Sequence, residues 1–370
     1  MSPHKIALCL AGGGVTGAMY QIGVLAALED SVDGLRADGF DLYVGASSGA
    51  SVAAALSGGR SVQRIYRAIL DPADDYFPLE RKHLLRTDIA EWRRTLVSAW
   101  AALRHGTKNL VSRVPTSPAA LWDELDRFAD SLPAGFFSFD AYERFLEDFF
   151  IRREVPNRFA AMPRSLRIIA YDLDSGERVL FGAPGFDHVP VTRACIATMS
   201  VPPLYSPVRI GSRQYIDTGT AQVAHIDVAA EAGADVVIVV NPMVPVIVQD
   251  VPTGHGPRSS LRDKGMFWVL SQANRISTHK LMQDTCARYR GQGRPEIILI
   301  EPEPTDGIFF MHNPASFAAR RAILEYAYRS TRSRVSRWFA DGSRVIEVTG
   351  WRQKAEGTLW PPAMPSVGRE

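Results

Sequence analysis

Cysteine is scarce in this chain: there are only three, Cys9, Cys195 and Cys286, and they lie far apart in no metal-binding spacing. An odd number of scattered cysteines argues against a disulfide framework or a zinc site and favours a reducing, cytoplasmic setting. Long apolar runs are also missing, since none reaches the roughly 18 residues that a membrane-spanning helix needs. The first apolar run, residues 6–11, is too short for a secretory signal and predicts a buried strand.

An excess of charge of one sign is missing too. The 42 Lys and Arg residues nearly balance the 40 Asp and Glu residues, so no overall field favours nucleic acid, which we do not expect as a partner. Apolar residues make up 46% and charged residues 22% of the 370, which excludes a long disordered chain, a coiled coil or a collagen-like fibre. The length corresponds to one to three domains. The carboxylates form no plausible metal set, so we expect neither a metal nor a cofactor, and the oligomeric state stays open.

Strand and helix patterns alternate over the first 60 residues. Residues 6–11 and 40–45 are apolar runs bounded by glycines, whereas residues 17–30 and 46–59 have helical spacing or consist of small residues ending at Gly-Gly. This order predicts an α/β fold with a mainly parallel sheet covered by helices. Further strands are predicted in the runs LRIIAYDL, RVLFG, RQYIDTG, ADVVIVVNP and EIILIEP.

The middle of the chain, residues 71–150, changes character and predicts a helical insertion that caps the sheet. It contains a basic amphipathic helix at 84–104, and a second such helix is predicted at 318–339. Residues 123–148 hold eight acids and two Arg. The favoured interpretation is that both helices cover the sheet and pair with this acidic stretch. The other interpretation places the Arg side chains of these helices in the headgroup layer of a membrane, and we still expect weak peripheral association with anionic lipid.

The first chemical motif is the glycine-rich run of residues 12–17, placed between a strand and a helix. Glycines there allow positive φ and close backbone approach, and their N–H groups with the following helix N-terminus attract negative charge. Two chemistries use such a loop. One is dinucleotide binding, because Gly12, Gly14 and Gly17 satisfy G-x-G-x-x-G. The other is an oxyanion hole for acyl transfer.

The second motif is Gly45-Ala46-Ser47-Ser48-Gly49, a G-x-S-x-G run between a strand and a small-residue helix. A nucleophile elbow needs this context, because the tight strand-to-helix turn exposes the serine and the glycines make room for neighbouring backbone. A dinucleotide site would instead place an acid at the end of this strand to bind the ribose. The motif therefore favours acyl transfer, although a tight turn without catalytic function would also contain such residues.

Three blocks resemble, in this order, the patatin-like phospholipases: LAGGGVTGAMYQIGVLAALED, FDLYVGASSGASVAAALSGG and ATMSVPPLYSPVRIGSRQYIDTG. The family pattern is a glycine-rich loop, a G-x-S-x-G elbow and a later Asp in D-G-G or D-G-A, and the resemblance covers about residues 5–245. It implies a three-layer α/β/α fold with a mainly parallel central sheet. We expect one domain over residues 5–350, with the insertion at 71–150, a C-terminal extension at 265–350 and a loosely ordered tail at 351–370.

The resemblance also implies the site residues. Ser47 would be the nucleophile and Asp217 its base, a dyad without histidine. The oxyanion donors would come from the loop and the space for the elbow from two glycines: Gly12, Gly13 and Gly14 for the first, Gly45 and Gly49 for the second. The implied activity is hydrolysis of fatty-acyl esters of phospholipids or related lipids through an acyl-enzyme, with no metal.

Two residues depart from the family pattern. Thr218 follows Asp217 where the family has Gly, and Thr16 stands where many members carry Arg or Lys. Three alternatives stay open: a transacylase or a short-chain esterase, which would use the same acyl-enzyme, and a silent lipid-binding module, which Thr218 suggests. A dinucleotide oxidoreductase comes last. A catalytic histidine is a less favoured option, for which His225 and His312 have the Ser…Asp…His order.

Overall fold

The computed structural model describes residues 4–71, 73–97, 132–218, 224–247, 260–303 and 316–355. The strands in these residues are β1 (Ile6–Leu10), β2 (Leu42–Ala46), β3 (Arg86–Thr87), β4 (Phe137–Ser138), β5 (Ser165–Asp172), β6 (Arg178–Phe181), β7 (Val208–Ile210), β8 (Arg213–Ile216), β9 (Val236–Val240) and β10 (Glu296–Ile300). The helices are α1 (Gly14–Ser31), α2 (Ser48–Ser57), α3 (Val62–Leu70), α4 (Arg81–Leu84), α5 (Asp140–Arg152), α6 (Val191–Met199), α7 (Ile226–Glu231), α8 (Met266–Gln292), α9 (Arg320–Ala340) and α10 (Arg344–Thr349). Residues 89–97 are helical as well.

The main sheet has the order β10-β9-β1-β2-β5-β8-β7, with β6 also paired to β5. The strands β10, β9, β1, β2 and β5 are parallel to one another. Strands β6 and β8 each pair with β5 in antiparallel orientation, and β7 pairs antiparallel with β8. The described residues therefore confirm a mainly parallel sheet. Leu10 at the end of β1 is in register with Gly45 on β2 and Val240 on β9, so the loops after these three strands emerge at one edge of the sheet.

The side chains of β1 alternate between two apolar clusters. Leu8 and Leu10 belong to a cluster with residues of α1, α2 and α9, whereas Ala7 and Cys9 belong to one with residues of α7 and α8. All four are fully buried, as expected for a parallel strand that is covered on both faces. The fold is thus the expected α/β/α arrangement of three layers.

Helix α9 confirms the helix predicted at 318–339, but its apolar side is not free to contact lipid. Ile323, Leu324 and Ala327 are fully buried in the cluster that α1 shares. The helix does not pair with the acidic stretch in the described residues either. Its arginines form ion pairs with Glu325, Glu303 and Asp30.

The helix predicted at 84–104 is interrupted. Helix α4 ends at Leu84, residues 86–87 form β3 with β4 as partner, and a new helix begins at 89. The Asp88 carboxylate accepts a hydrogen bond from the Glu91 N–H at 3.0 Å, which caps the new helix. The predicted residues 98–104 lie outside the described ones.

Two other parts of the expected domain plan make contacts with the rest of the domain in the described residues. Helix α5, within the predicted 71–150 insertion, places Phe145 and Phe149 in the main core, so this part of the segment completes the domain. The predicted loose tail is bound at its start. The Arg352 carbonyl accepts a hydrogen bond from the Asp33 N–H at 2.8 Å, and the Lys354 N–H donates to Ser31 O at 3.0 Å. Residues 356–370 lie outside the described ones.

No helix in the described ranges combines the length and the apolar character needed to cross a membrane.

The contact between α1 and α9 depends on a glycine. A Cβ on Gly23 would lie 2.5 Å from the Leu324 carbonyl oxygen and 2.7 Å from the Ala327 Cβ. In an exposed helix a Gly→Ala change stabilises by about 1 kcal/mol, but overpacking costs about 1–3 kcal/mol. We therefore expect Gly23→Ala to lower the thermal midpoint, measured by circular dichroism. A midpoint equal to or above that of the wild type would contradict this close packing.

Candidate active site

The glycine-rich loop links β1 directly to the start of α1. Gly13 has φ 142° and Gly14 has φ 64°, conformations that side chains rarely adopt. A Cβ on Gly13 would also lie 2.9 Å from Pro242 Cγ, after β9. The side chain of the buried Gln21 on α1 donates a hydrogen bond to the Ala11 carbonyl. This bond connects the start of the loop to α1. The loop is therefore held in one shape by β9 on one side and α1 on the other.

The serine motif forms a tight turn between β2 and α2. Ser47 has φ 51° and ψ −132°, a strained conformation for a residue with a side chain, and it is only 7% exposed. Such strain persists only where the surroundings enforce it, and it is the conformation expected of a nucleophile elbow.

Gly45 and Gly49, the two glycines of the serine motif, both lie against backbone or Cβ atoms. A Cβ on Gly45 would lie 2.6 Å from Ala50 Cα, and a Cβ on Gly49 would lie 2.5 Å from the Leu10 carbonyl oxygen. Glycine at these positions lets α2 approach the ends of β1 and β2. Ser47 is thereby brought beside the glycine-rich loop.

Thr198, which the sequence analysis did not identify, binds the backbone of the turn at Ser47. Thr198, on α6 and fully buried, accepts a hydrogen bond from the Ser47 N–H at 2.9 Å through its Oγ1. The same hydroxyl donates to the Ile169 carbonyl on β5, the strand next to β2. Both the donor and the acceptor capacity of the hydroxyl are used, so Thr198 connects the strained turn to the sheet. The residue lies inside the ATMSVPP block, but no local pattern indicates this contact.

The C-terminal end of α6 also binds the backbone of the other predicted catalytic residue, Asp217. Asp217 follows β8, and its N–H donates to the Ser200 carbonyl at 3.0 Å. The Ser200 hydroxyl donates in turn to the Ile196 carbonyl at 2.9 Å. The segment 198–200 is therefore bound to the backbone N–H groups of both Ser47 and Asp217.

One cavity, of about 450 Å³, brings the predicted site residues together. Its lining includes Gly12, Gly13, Gly14, Ser47 and Asp217. Most of the remaining lining is apolar and includes Leu84, Phe137, Leu204, Trp268 and Phe317. A concave apolar site with a few converging polar groups is the usual form of a small-molecule or acyl-chain site. Gly45 and Gly49 are not among the residues that line the cavity, and both lie close to backbone atoms.

The two departures from the family pattern have visible contacts. The Thr218 hydroxyl lies 3.5 Å from Asp217 Oδ1, to which it donates. The Thr16 hydroxyl lies 3.4 Å from the Gly13 carbonyl, so it supports the loop from within α1. Neither side chain occupies the position of the predicted nucleophile or base.

Histidine does not join the site in the described residues. His225 is buried and left-handed (φ 43°), is not among the residues that line the cavity, and neither ring nitrogen has a hydrogen bond in the described part of the chain. Burial lowers its pKa to about 4, so the ring is neutral. His312 lies outside the described residues. Within those residues, no group of three or more His, Cys, Asp or Glu is placed to hold a metal.

The Thr198 contact leads to the first test of the site. Thr198→Val keeps the shape but leaves the buried Ser47 N–H without an acceptor, which destabilises the elbow. Because a displacement of about 1 Å in a catalytic group costs about a hundredfold in rate, we expect a roughly tenfold to hundredfold slower reaction of Ser47 with a fluorophosphonate. Intact mass spectrometry over time measures this rate. Thr198→Ser, which keeps the hydroxyl, is the matched control, and equal rates for folded Val and Ser variants would exclude the role.

The buried His225 predicts a pH effect on stability. Its folded pKa, about 4, lies below the ordinary 6.5, so between these values the unfolded chain binds the proton and the folded chain does not. The contribution of His225 to the free energy of unfolding is therefore fully present above pH 6.5. It is lost as the pH falls toward 4, by roughly 3 kcal/mol in total. Urea unfolding should give a flatter dependence for His225→Asn, because Asn tolerates φ > 0 and does not titrate. The exposed His188→Asn is the control, and identical slopes for all three proteins would contradict the assignment.

Comparison with solved structures finds remote similarity. VipD from Legionella pneumophila aligns with 14% identity and a TM-score of 0.38 over 89% of this chain and 66% of its own. The type III effector ExoU aligns with 13% identity and a TM-score of 0.33 over 90% of this chain and 53% of its own. ExoU in complex with SpcU from Pseudomonas aeruginosa gives 14% and 0.32. This chain therefore spans about two thirds of the VipD structure and about half of the ExoU structure.

No curated protein is similar enough in sequence to count as a match. One family model, described as patatin-like phospholipase, matches residues 8–230, well over half of the chain. The match begins in β1 and ends in α7, and it includes the glycine-rich loop, the serine elbow and Asp217. The chain belongs to the patatin-like phospholipase family.

Proposed function

We propose that this protein hydrolyses fatty-acyl ester bonds of phospholipids or related lipids, with Ser47 as nucleophile and Asp217 as its base. The observation that carries the proposal is the strained Ser47, which lines one apolar cavity with Asp217 and the glycine-rich loop. A nucleophile, a base and a row of backbone N–H groups around one cavity are the parts that acyl transfer requires.

In the acylation step, the Asp217 carboxylate accepts the proton of the Ser47 hydroxyl as Oγ attacks the ester carbonyl carbon. The carbonyl oxygen becomes an oxyanion, which the N–H groups of Gly12, Gly13 and Gly14 stabilise by hydrogen bonds. Collapse of the tetrahedral intermediate breaks the ester C–O bond. The leaving alcohol takes the proton from Asp217, and the acyl group stays on Ser47.

In the deacylation step, water repeats the same chemistry. Asp217 takes a proton from the water as its oxygen attacks the acyl carbon. The second tetrahedral intermediate expels Ser47 Oγ, which recovers its proton from Asp217, and the fatty acid leaves. No step requires a metal or a histidine. An alcohol in place of water would make the protein a transacylase, and preference for short chains would make it an esterase.

The direction of the Thr218 contact bears on the rate. A hydrogen bond donated to Asp217 Oδ1 stabilises the charged carboxylate, which makes Asp217 a weaker base than one without this donor. A slow hydrolase is consistent with this contact, and a silent lipid-binding protein is the limiting case in which Asp217 does not act as a base.

The proposed lipid substrate lies in membranes. We therefore propose that the protein contacts membranes peripherally, near the basic segment predicted from the sequence at residues 84–104.

The dyad is tested by covalent labelling. We expect a fluorophosphonate to add one mass increment to the wild type and none to Ser47→Ala. Ser48→Ala is the matched control, because this neighbouring serine in the same turn is also buried. Asp217→Asn should react more slowly, and hydrolysis of a soluble ester should fall at least about a thousandfold for Ser47→Ala.

A chain-length series of esters, with and without a lysolipid acceptor, separates hydrolase, transacylase and esterase. Labelling that persists in Ser47→Ala, or that disappears in Ser48→Ala, would refute the proposed nucleophile. Wild-type protein that binds lipid but neither labels nor hydrolyses any ester would establish the silent alternative.

A further inference from the structure

Helix α8 carries an apolar stripe that faces away from the protein. Met266, Val269, Leu270 and Ile276 are all exposed, Met266 to 72%. Their spacing places them on one side of the helix, because residues three and four positions apart are neighbours on its surface. With the exposed Leu281 the stripe covers residues 266–281, a length of about 22 Å at 1.5 Å per residue.

The opposite side of α8 already provides its attachment to the core. Met282 and Cys286 are buried in the cluster that includes residues of β1 and β9. The buried Arg275 donates to the carbonyl oxygens of Pro242 and Val244 at 3.1 and 3.0 Å. The core contacts of α8 therefore lie on a different side of the helix from the exposed stripe.

A second exposed apolar row follows α4. Leu85, Ile89, Trp92 and Leu96 have spacings of four, three and four residues, and Ile89 is exposed to 72% and Leu96 to 63%. The Trp92 ring lies 6.0 Å from that of Phe136, beside β4. This row therefore starts at the β3–β4 pair and continues along the 89–97 helix.

Both rows reach the cavity that contains Ser47. Leu85 belongs to one row and Leu270 to the other, and both line this cavity. We call the exposed apolar side chains of residues 85–97 and 266–281 the rim surface. Exposed apolar patches that adjoin a binding cavity mark an interaction site rather than ordinary surface.

Basic side chains accompany the rim surface. Residues 80–97 contain five Lys and Arg against three acids, and two of these acids form ion pairs within the segment, Glu80 with Lys82 and Glu91 with Arg94, both at 2.8 Å. At the start of α8, Lys264 Nζ lies 4.3 Å from the centre of the Trp268 ring. Apolar residues bordered by tryptophan and by Lys or Arg are typical of protein surfaces that lie in the headgroup layer of a membrane.

We propose that the rim surface is the face by which this protein lies on an anionic lipid bilayer, with the mouth of the Ser47 cavity toward the lipid. This inference rests on the proposed function and specifies its orientation. The rim surface contains residues 85–97 from the segment that the sequence predicted, together with α8, which the sequence did not indicate. It does not contain α9, whose apolar side is buried. An ester bond of a lipid in the bilayer then reaches Ser47 without its acyl chain crossing water.

A second copy of the chain is a less suitable occupant. Two copies that met through this face would bring their basic side chains together, whereas anionic headgroups neutralise those charges. The charge on the rim surface thus favours lipid.

The test measures binding of the full chain, carrying Ser47→Ala to keep the lipid intact, to vesicles by co-sedimentation. Vesicles of phosphatidylcholine with phosphatidylglycerol are compared with vesicles of phosphatidylcholine alone. The variants are Val269→Glu with Ile276→Glu on α8, and Ile89→Glu with Leu96→Glu on the other row. Ile151→Glu is the matched control, because Ile151 is 77% exposed on α5 and belongs to neither row.

We expect binding to the anionic vesicles that weakens with salt, and a loss of about tenfold or more for each double variant, because apolar burial is removed and negative charge is added. Ile151→Glu should bind like the parent. In proteins with Ser47 intact, activity toward a water-soluble ester should be unchanged, since none of the four replaced side chains lines the cavity.

Equal binding by all variants, or no binding to anionic vesicles, would overturn the proposal. So would a dimer in light scattering that the α8 variant converts to a monomer, because the face would then be an interface between copies. Failure of the proposed function has a different signature. Vesicle binding would depend on the rim surface as described, while the Ser47 protein would neither react with fluorophosphonate nor hydrolyse the soluble ester.

Discussion

Gly12 packs directly against Ser47, so that a Cβ on Gly12 would lie 2.9 Å from Ser47 Cβ and 3.4 Å from its Oγ. The same closeness recurs behind the serine, where Gly49 faces the carbonyl oxygens of Leu10 and Ala11. Two strand–loop–helix units are thereby pressed together at one edge of the sheet. The rest of the site depends on this contact, because it places the glycine-rich loop beside the side chain of Ser47.

The other half of the site is attached through helix α6. Its last turn binds the Ser47 N–H through Thr198 and the Asp217 N–H through Ser200. A strained turn is maintained only if its neighbours are rigid, and this one is connected to β5 by the same threonine hydroxyl. The backbones of the proposed nucleophile and of its base are therefore bound to the same short segment, residues 198–200.

Helix α8 joins the chemistry to the surface. One side packs in the core behind the sheet, another lines the cavity, and a third is exposed and apolar. A long helix with low overall amphipathicity is difficult to recognise from its sequence, since apolar residues occur nearly all around it. The same feature lets one element support the fold, bound the cavity and present the rim surface.

The sequence by itself determined the features that depend on a few neighbouring residues. The glycine-rich loop, the elbow at Ser47 and the buried strands follow from backbone freedom and from periodicity, and Asp217 followed from the order of family motifs. Only the tertiary structure decided the others. Thr198 lies 151 residues from the Ser47 N–H that it binds, and the helix expected from residue 84 starts at 89 because residues 86–87 pair with 137–138. The apolar side of α9 is buried because α1, at the other end of the chain, packs against it. Such contacts depend on the path of the whole chain, and a local pattern carries no information about which distant segment will reach it.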